Sequence, residues 1–169
     1  MAETFTLYKL IVLYMLDRVD FPLTTSQISE FILDKYTTYF RLQSALAELT
    51  DSGLLKIELT HNRTLYNLTE EGAATINYFR NKISPEIRQE IDNFINEKKY
   101  DLKEEVSVKS DYYLNTNHEY EVKCQILENG SHLIDMTLTV PTQTEAEAIV
   151  NNWNRKNQEI YALLLSQLL

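Results

Sequence analysis

Chain-breaking residues are scarce in this sequence, and most of them stand where one regular element has to give way to the next. Three glycines and three prolines among 169 residues leave no material for a flexible linker. Pro22 ends a first helix of roughly Thr4 to Asp17, in which Leu7, Leu10, Ile11 and Tyr14 recur at helical spacing. Thr24 with Gln27 three residues on reads as a capping box, opening a second helix with Ile28, Phe31 and Ile32 inward. A third helix, about Thr38 to Ser52, carries the stripe Leu42, Ala45, Leu46 and Leu49, and Gly53 follows where a left-handed residue closes a helix. Leu55, Ile57 and Leu59 then alternate with Lys56, Glu58 and Thr60, the period of a half-buried strand. After a polar turn at His61-Asn62-Arg63 a second strand runs to Leu68, and Thr69 caps a fourth helix with Glu70 and Glu71 in its first turn.

Ser84-Pro85 starts another helix, with Ile87, Ile91, Phe94 and Ile95 on its apolar face. Glu97-Lys98-Lys99 is the polar junction at which a domain boundary is expected. Three strands follow, at about 103–114, 119–127 and 131–140. In the last two the even-numbered positions are apolar, so even must pair with even. A three-residue loop, Glu128-Asn129-Gly130, meets that condition and predicts Cys124 opposite Ile134 and Val122 opposite Met136. Pro141 ends the sheet, and Thr142 with Glu145 opens a helix that runs to the C-terminus.

This order predicts an α+β fold. A winged helix-turn-helix domain is expected over residues 1–82, and a connecting helix over 83–99. A smaller domain over 100–169, serving dimerisation or sensing, combines a three-stranded antiparallel sheet with a long C-terminal helix. In the winged form the recognition helix, about 38–52, enters the major groove of double-stranded DNA, and the wing, 54–68, lies on the flanking backbone. With the Leu42 stripe inward, the opposite face holds Thr37, Phe40, Gln43, Ser44 and Ala47 with Arg41 at its edge, and Thr38 and Tyr39 join the expected DNA contacts. Gln pairs with adenine, and Phe meets a thymine methyl. Arg41, His61 and Arg63 are the expected phosphate contacts, with Asn62 beside them at the wing tip.

Charge opposes this reading in part. The net charge is −9. Residues 1–80 carry 7 basic and 10 acidic groups and residues 81–169 carry 9 and 15, so no segment is basic as a whole. Attraction to phosphate must come from a few well-placed cations. An alternative function follows: a winged helix that binds a basic protein partner and no nucleic acid.

The run Leu46-Ala-Glu-Leu49-Thr-Asp-Ser-Gly53-Leu54-Leu55, followed by Tyr66-Asn-Leu68-Thr69-Glu70-Glu71-Gly72, resembles the MarR-like and PadR-like winged-helix regulators. Their recognition helix exits through LxxLxxxGLL into a wing that ends YxLTxxG. Phe21-Pro22-Leu23-Thr24, Tyr36-Thr37-Thr38-Tyr39-Phe40 and Leu42-Gln43 resemble a family of Gram-positive bacteria known only as a domain of unknown function with winged-helix character. The resemblance spans nearly the whole chain and implies a regulator, without naming an operator or effector. The wing here has a single Arg, where many MarR-like wings are more basic.

Other chemistry finds little support. Cys124 lies on the apolar face of a strand and reads as a core residue. His61, His118 and His132 share no metal-ligand spacing. No phosphate loop, nucleophile elbow or carboxylate pair is evident, so no enzyme, cofactor or metal site is expected. The longest apolar run of the first helix, Leu10 to Leu16, is short of the ~20 residues of a membrane span. Met1-Ala2-Glu3-Thr4 lacks the basic start of a secretory signal, and a lone cysteine fits a reducing cytoplasm. Tyr112, Tyr113 and Tyr120 are candidates to line a small-molecule effector pocket, with ordinary sheet packing the commoner role. The last helix carries more apolar surface than three strands cover. Trp153, Ile160, Leu164 and Leu168 are therefore expected at a homodimer interface.

Overall fold

The computed structural model describes the backbone of residues 2–169 and the side chains of residues 7–169. It holds six α-helices, a short 3-10 turn and two three-stranded antiparallel sheets among the described residues. The chain divides into two compact units. The first comprises residues up to Leu59 together with Arg63–Lys103, the second Thr60–Asn62 together with Glu104–Leu169.

In the first unit, helix α1 (Ala2–Asp17) is followed by a two-residue strand β1 (Leu23–Thr24), α2 (Thr25–Ile32), α3 (Tyr39–Asp51), the hairpin β2 (Leu55–Leu59) and β3 (Thr64–Leu68), α4 (Glu70–Phe79) and α5 (Pro85–Ser107). Sequence periodicity assigns α1 one apolar stripe. In fact Tyr8 and every residue from Leu10 to Leu16 are buried, as a helix that is apolar all round must be, and the other elements pack around it. The capping box of α2 forms as predicted: Gln27 N–H donates to Thr24 Oγ1 at 3.0 Å, and Thr24 N–H donates to Gln27 Oε1 at 3.0 Å. Thr24 also belongs to β1, which sequence patterning did not reveal and which pairs with β3 to give the order β1-β3-β2.

Local chemistry explains the join of α3, hairpin and α4. Gly53 takes φ +75°, the left-handed conformation that a residue with no Cβ adopts freely. Thr69 N–H donates to the Leu54 carbonyl at 3.2 Å, and its hydroxyl donates to the Gly53 carbonyl at 2.7 Å. The same hydroxyl accepts from Gly72 N–H at 3.0 Å, capping α4. One threonine thereby ties the exit of α3 to the entry of α4.

Helix α5 corrects the expected boundary. Glu97-Lys98-Lys99 does not end it; the helix continues to Ser107, and Leu102 and Val106 extend its buried stripe. In the second unit, β4 (Val108–Leu114), β5 (Tyr120–Glu128) and β6 (Ser131–Val140) form a sheet in that order, and α6 (Gln143–Leu168) packs on one face. The predicted loop between β5 and β6 is also corrected. Glu128 pairs with Ser131, so the turn is the two residues Asn129 and Gly130, with φ +49° and +79°, as two-residue hairpins require. A bulge between Ile126 and Leu127, opposite Leu133, then restores even-to-even pairing. Cys124 consequently faces Met136, and Val122 faces Leu138. Thr142 and Glu145 form the predicted capping box of α6.

Candidate nucleic-acid interface

The connection from α2 to α3 is built by its own backbone. Tyr36 N–H donates to the Ile32 carbonyl at 3.1 Å and Asp34 N–H to the Thr37 carbonyl at 3.3 Å, with Asp34 at φ +66°. Aromatic packing anchors the same turn to α5. The Tyr36 ring stacks on Phe31 at 5.6 Å, and Phe31 packs against Phe94 at 5.2 Å. The Tyr36 hydroxyl donates to Glu90 Oε2, which also receives Lys35 Nζ at 2.7 Å. Burial and the Glu90 hydrogen bond push the Tyr36 phenol up to about 12. The Lys35 and Tyr36 hydrogen bonds hold Glu90 below the usual carboxylate value.

Helix α3 leaves this anchored turn with Leu42, Ala45, Leu46 and Leu49 buried, as its periodicity predicts. Its first turn is acid-free, and its outer surface carries Tyr39, Phe40, Arg41 and Ser44, all exposed. Phe40 is 81% exposed and meets Tyr39 edge-on at 5.9 Å. Thr38 occupies the N-cap in an extended conformation with no side-chain cap bond, so the first amides of α3 receive no help from it. Gln43 is half-buried. Thr37 departs from expectation: it is 8% exposed and turned inward, so it presents no surface to a ligand.

The expected wing-tip residues do not act together. Thr60–Asn62 belongs to the second unit, where the His61 imidazole stacks on Tyr112 at 4.0 Å. Its backbone N–H donates to Asp111 Oδ1 at 3.3 Å, and Nδ1 meets the same oxygen. His61 is therefore engaged by a carboxylate and a phenol ring while it stays exposed. Asn62 is exposed; Arg63 is half-buried and interacts within the chain.

Of the residues expected at a dimer interface, Trp153 is withdrawn. It is 1% exposed, lies in the core between sheet and helix, and donates from Nε1 to the Gln125 carbonyl at 3.3 Å. Ile160 and Leu164 are half-buried and Leu168 is 78% exposed. Cys124 is buried between the same layers, and loss of water pushes its thiol up to about 11. Tyr112 packs on Tyr120 at 6.1 Å, and its hydroxyl donates to Glu147 at 3.2 Å; Tyr113 is exposed and bonded to Glu121. An open cleft of about 290 Å³ occurs in the first unit, lined by Leu16, Asp17, Val19, Asp20, Phe21, Asn67 and Leu68.

One cluster had no signature in the sequence. The Tyr14 hydroxyl lies 3.2 Å from each oxygen of Asp92, Arg18 Nε donates to Asp92 at 2.9 Å, and Arg80 donates to Asp17 at 3.3 Å. Both guanidinium groups lie about 6 Å from the Tyr14 ring. Residues up to 78 positions apart meet here, and only folding brings them together. The cluster joins α1 to α5 and to the turn after α4.

Among the described residues, no group of three or more His, Cys, Asp or Glu is placed to hold a metal ion, and no helix is long and apolar enough to cross a membrane. No curated protein and no solved structure matches the chain. Residues 8–168 match the model of a family described as a domain of unknown function (DUF4364), and over that near-complete span the chain belongs to the DUF4364 family.

Proposed function

We propose that this protein is a DNA-binding transcriptional regulator, without catalytic activity, that acts as a homodimer. Its first unit is read as a winged helix-turn-helix of MarR-like or PadR-like type. In that reading α2 and α3 form the helix pair, and the β2–β3 hairpin is the wing. The observation that carries the proposal is the acid-free first turn of α3, where Tyr39, Phe40 and Arg41 project, with Ser44 one turn on, from a helix fixed by its buried leucines. Recognition helices contact base edges through their N-terminal residues, and the positive end of the helix dipole favours an approaching phosphate. Arg41 is the phosphate contact best placed for this role.

Selection of bound fragments from pooled genomic DNA tests the reading. A recurrent sequence is expected, and Arg41→Ala should weaken binding to it and to unrelated sequences alike and reduce the slope of log K against log salt by about 1 for each copy bound. Absence of any enriched sequence at modest salt would overturn it. A second reading draws on the exposure of Phe40 together with the net charge of −9: α3 would dock a basic protein partner. Affinity capture that returns protein and no nucleic acid, and is lost in Phe40→Ala, favours that reading.

A further inference from the structure

Strand edges expose unpaired N–H and C=O groups, and proteins guard them with short length, charge, proline or a covering segment. Three of the edges in this chain are guarded. β1 is two residues long, and β2 is five residues long with Lys56 and Glu58 within it. β4 carries Lys109 and Asp111, and residue 61 binds the Asp111 carboxylate. The fourth edge is guarded only near its start. β6 runs for ten residues and is interrupted by the bulge at Leu133; beyond it, residues 134–140 form a regular stretch with Asp135 as the one charged residue and no proline. Among the described residues, no strand pairs with its outer side. Its apolar row is also incompletely covered: Ile134 and Met136 are half-buried under α6, and Leu138 is 39% exposed.

We propose that the outer edge of β6 is the site at which a second copy of this chain joins, pairing β6 antiparallel with β6 across a two-fold axis into one six-stranded sheet. The inference rests on the homodimer part of the functional reading and specifies where the second copy sits. Residues directly opposite in a sheet point to the same face, so apolar even positions must meet even positions. Centring the axis on Asp135 sets two carboxylates against each other. Centring it on Met136 pairs residues 134–138 with their counterparts on the regular side of the Leu133 bulge. Ile134 then lies opposite the partner's Leu138, Met136 opposite the partner's Met136, and Asp135 opposite the partner's Thr137. No like charges face each other. The strand is thus complementary to itself in shape, polarity and charge, as a two-fold interface requires. The paired stretch spans ~17 Å at the rise of an extended chain.

Sedimentation equilibrium of the full chain at micromolar concentration, without DNA, tests the proposal. A dimer is expected. Thr137 is exposed and lies opposite Lys123 on β5, so circular dichroism and the urea midpoint of each variant are read alongside to separate effects within the unit from effects on the dimer. Thr137→Asp places a carboxylate opposite the partner's Asp135 at two symmetric positions and should weaken the dimer about tenfold. Thr137→Lys places an opposite charge there and should leave the dimer as tight or tighter. A monomeric wild type overturns the proposal, as does a dimer insensitive to both variants but dissociated by Leu168→Glu, which assigns the interface to the end of α6. Weakening by both variants overturns the Met136-centred register. None of these outcomes depends on DNA. A dimer that selects no DNA sequence would remove the regulator and leave this interface; a DNA-binding monomer would do the reverse.

Discussion

Gly72 sits where no side chain fits. A Cβ built there would lie 2.2 Å from the Leu54 carbonyl oxygen and 2.7 Å from Leu68 Cδ1, because Thr69 draws the start of α4 against the exit of α3. Gly72→Ala is therefore expected to destabilise the protein by about 3 kcal/mol, the upper end of overpacking effects, read as a fall in the urea midpoint. An unchanged midpoint would mean that the α4 entry moves freely. Gly53 offers a contrast, since a Cβ there meets nothing within 4 Å. Its φ of +75° gives Gly53→Ala a smaller cost of about 1 kcal/mol. Gly53 was legible as punctuation, and Gly72 only as the last residue of the YxLTxxG run. The reason for the second was not, because the clash is with residues 18 and 4 positions away in sequence. The inward turn of Thr37 and the partners of His61 were not legible for a related reason: spacing along the chain identifies a turn, and says nothing of which neighbour takes its side chains.

Elements whose ends are fixed by local bonds were read correctly from sequence. The capping boxes at Thr24 and Thr142 and the cap at Thr69 need only residues three apart. Elements fixed by distant partners were not. The Glu97–Lys99 segment resembles a junction because it is the wet side of α5, while Leu102 continues the buried side and its carbonyl accepts from Gln27 at 3.1 Å. The β5–β6 register was two positions out because a bulge at Leu133 has no pattern of its own. The clasp of Tyr36, Lys35 and Glu90 between the α2–α3 turn and α5 belongs to this scale too, and it predicts a stability profile. Glu90 has a folded pKa lowered from 4.5, so its contribution is present above about 4.5 and is lost as pH falls through the folded value. Tyr36 is raised from 10.0 to about 12, so its contribution is complete below 10 and is lost between 10 and about 12. Urea midpoints across pH should fall at both ends. Glu90→Gln should flatten the acid limb and Tyr36→Phe the alkaline one. Unchanged limbs in both variants would remove the clasp from the stability of the turn.

At the scale of the whole molecule, charge decides how any DNA complex would behave. With 25 acidic and 16 basic residues, the surface offers few cations, and the proposed interface supplies Arg41 from each copy. Each phosphate contact contributes about −0.9 to the slope of log K against log salt, so a dimer should show a slope of about −2. Titrations of the selected sequence between 50 and 200 mM salt would measure it, a range over which regulators with six to ten contacts lose far more affinity. A slope near −8 would require cations outside α3 and the hairpin.

Trp153 is the only tryptophan in the chain, and it lies in the core of the second unit. Light at the red edge of protein absorption therefore excites one fluorophore, sheltered from aqueous quenchers. Any change in its emission on adding DNA would be a signal from the unit that does not carry the proposed reading helix, a reporter already present in the natural sequence.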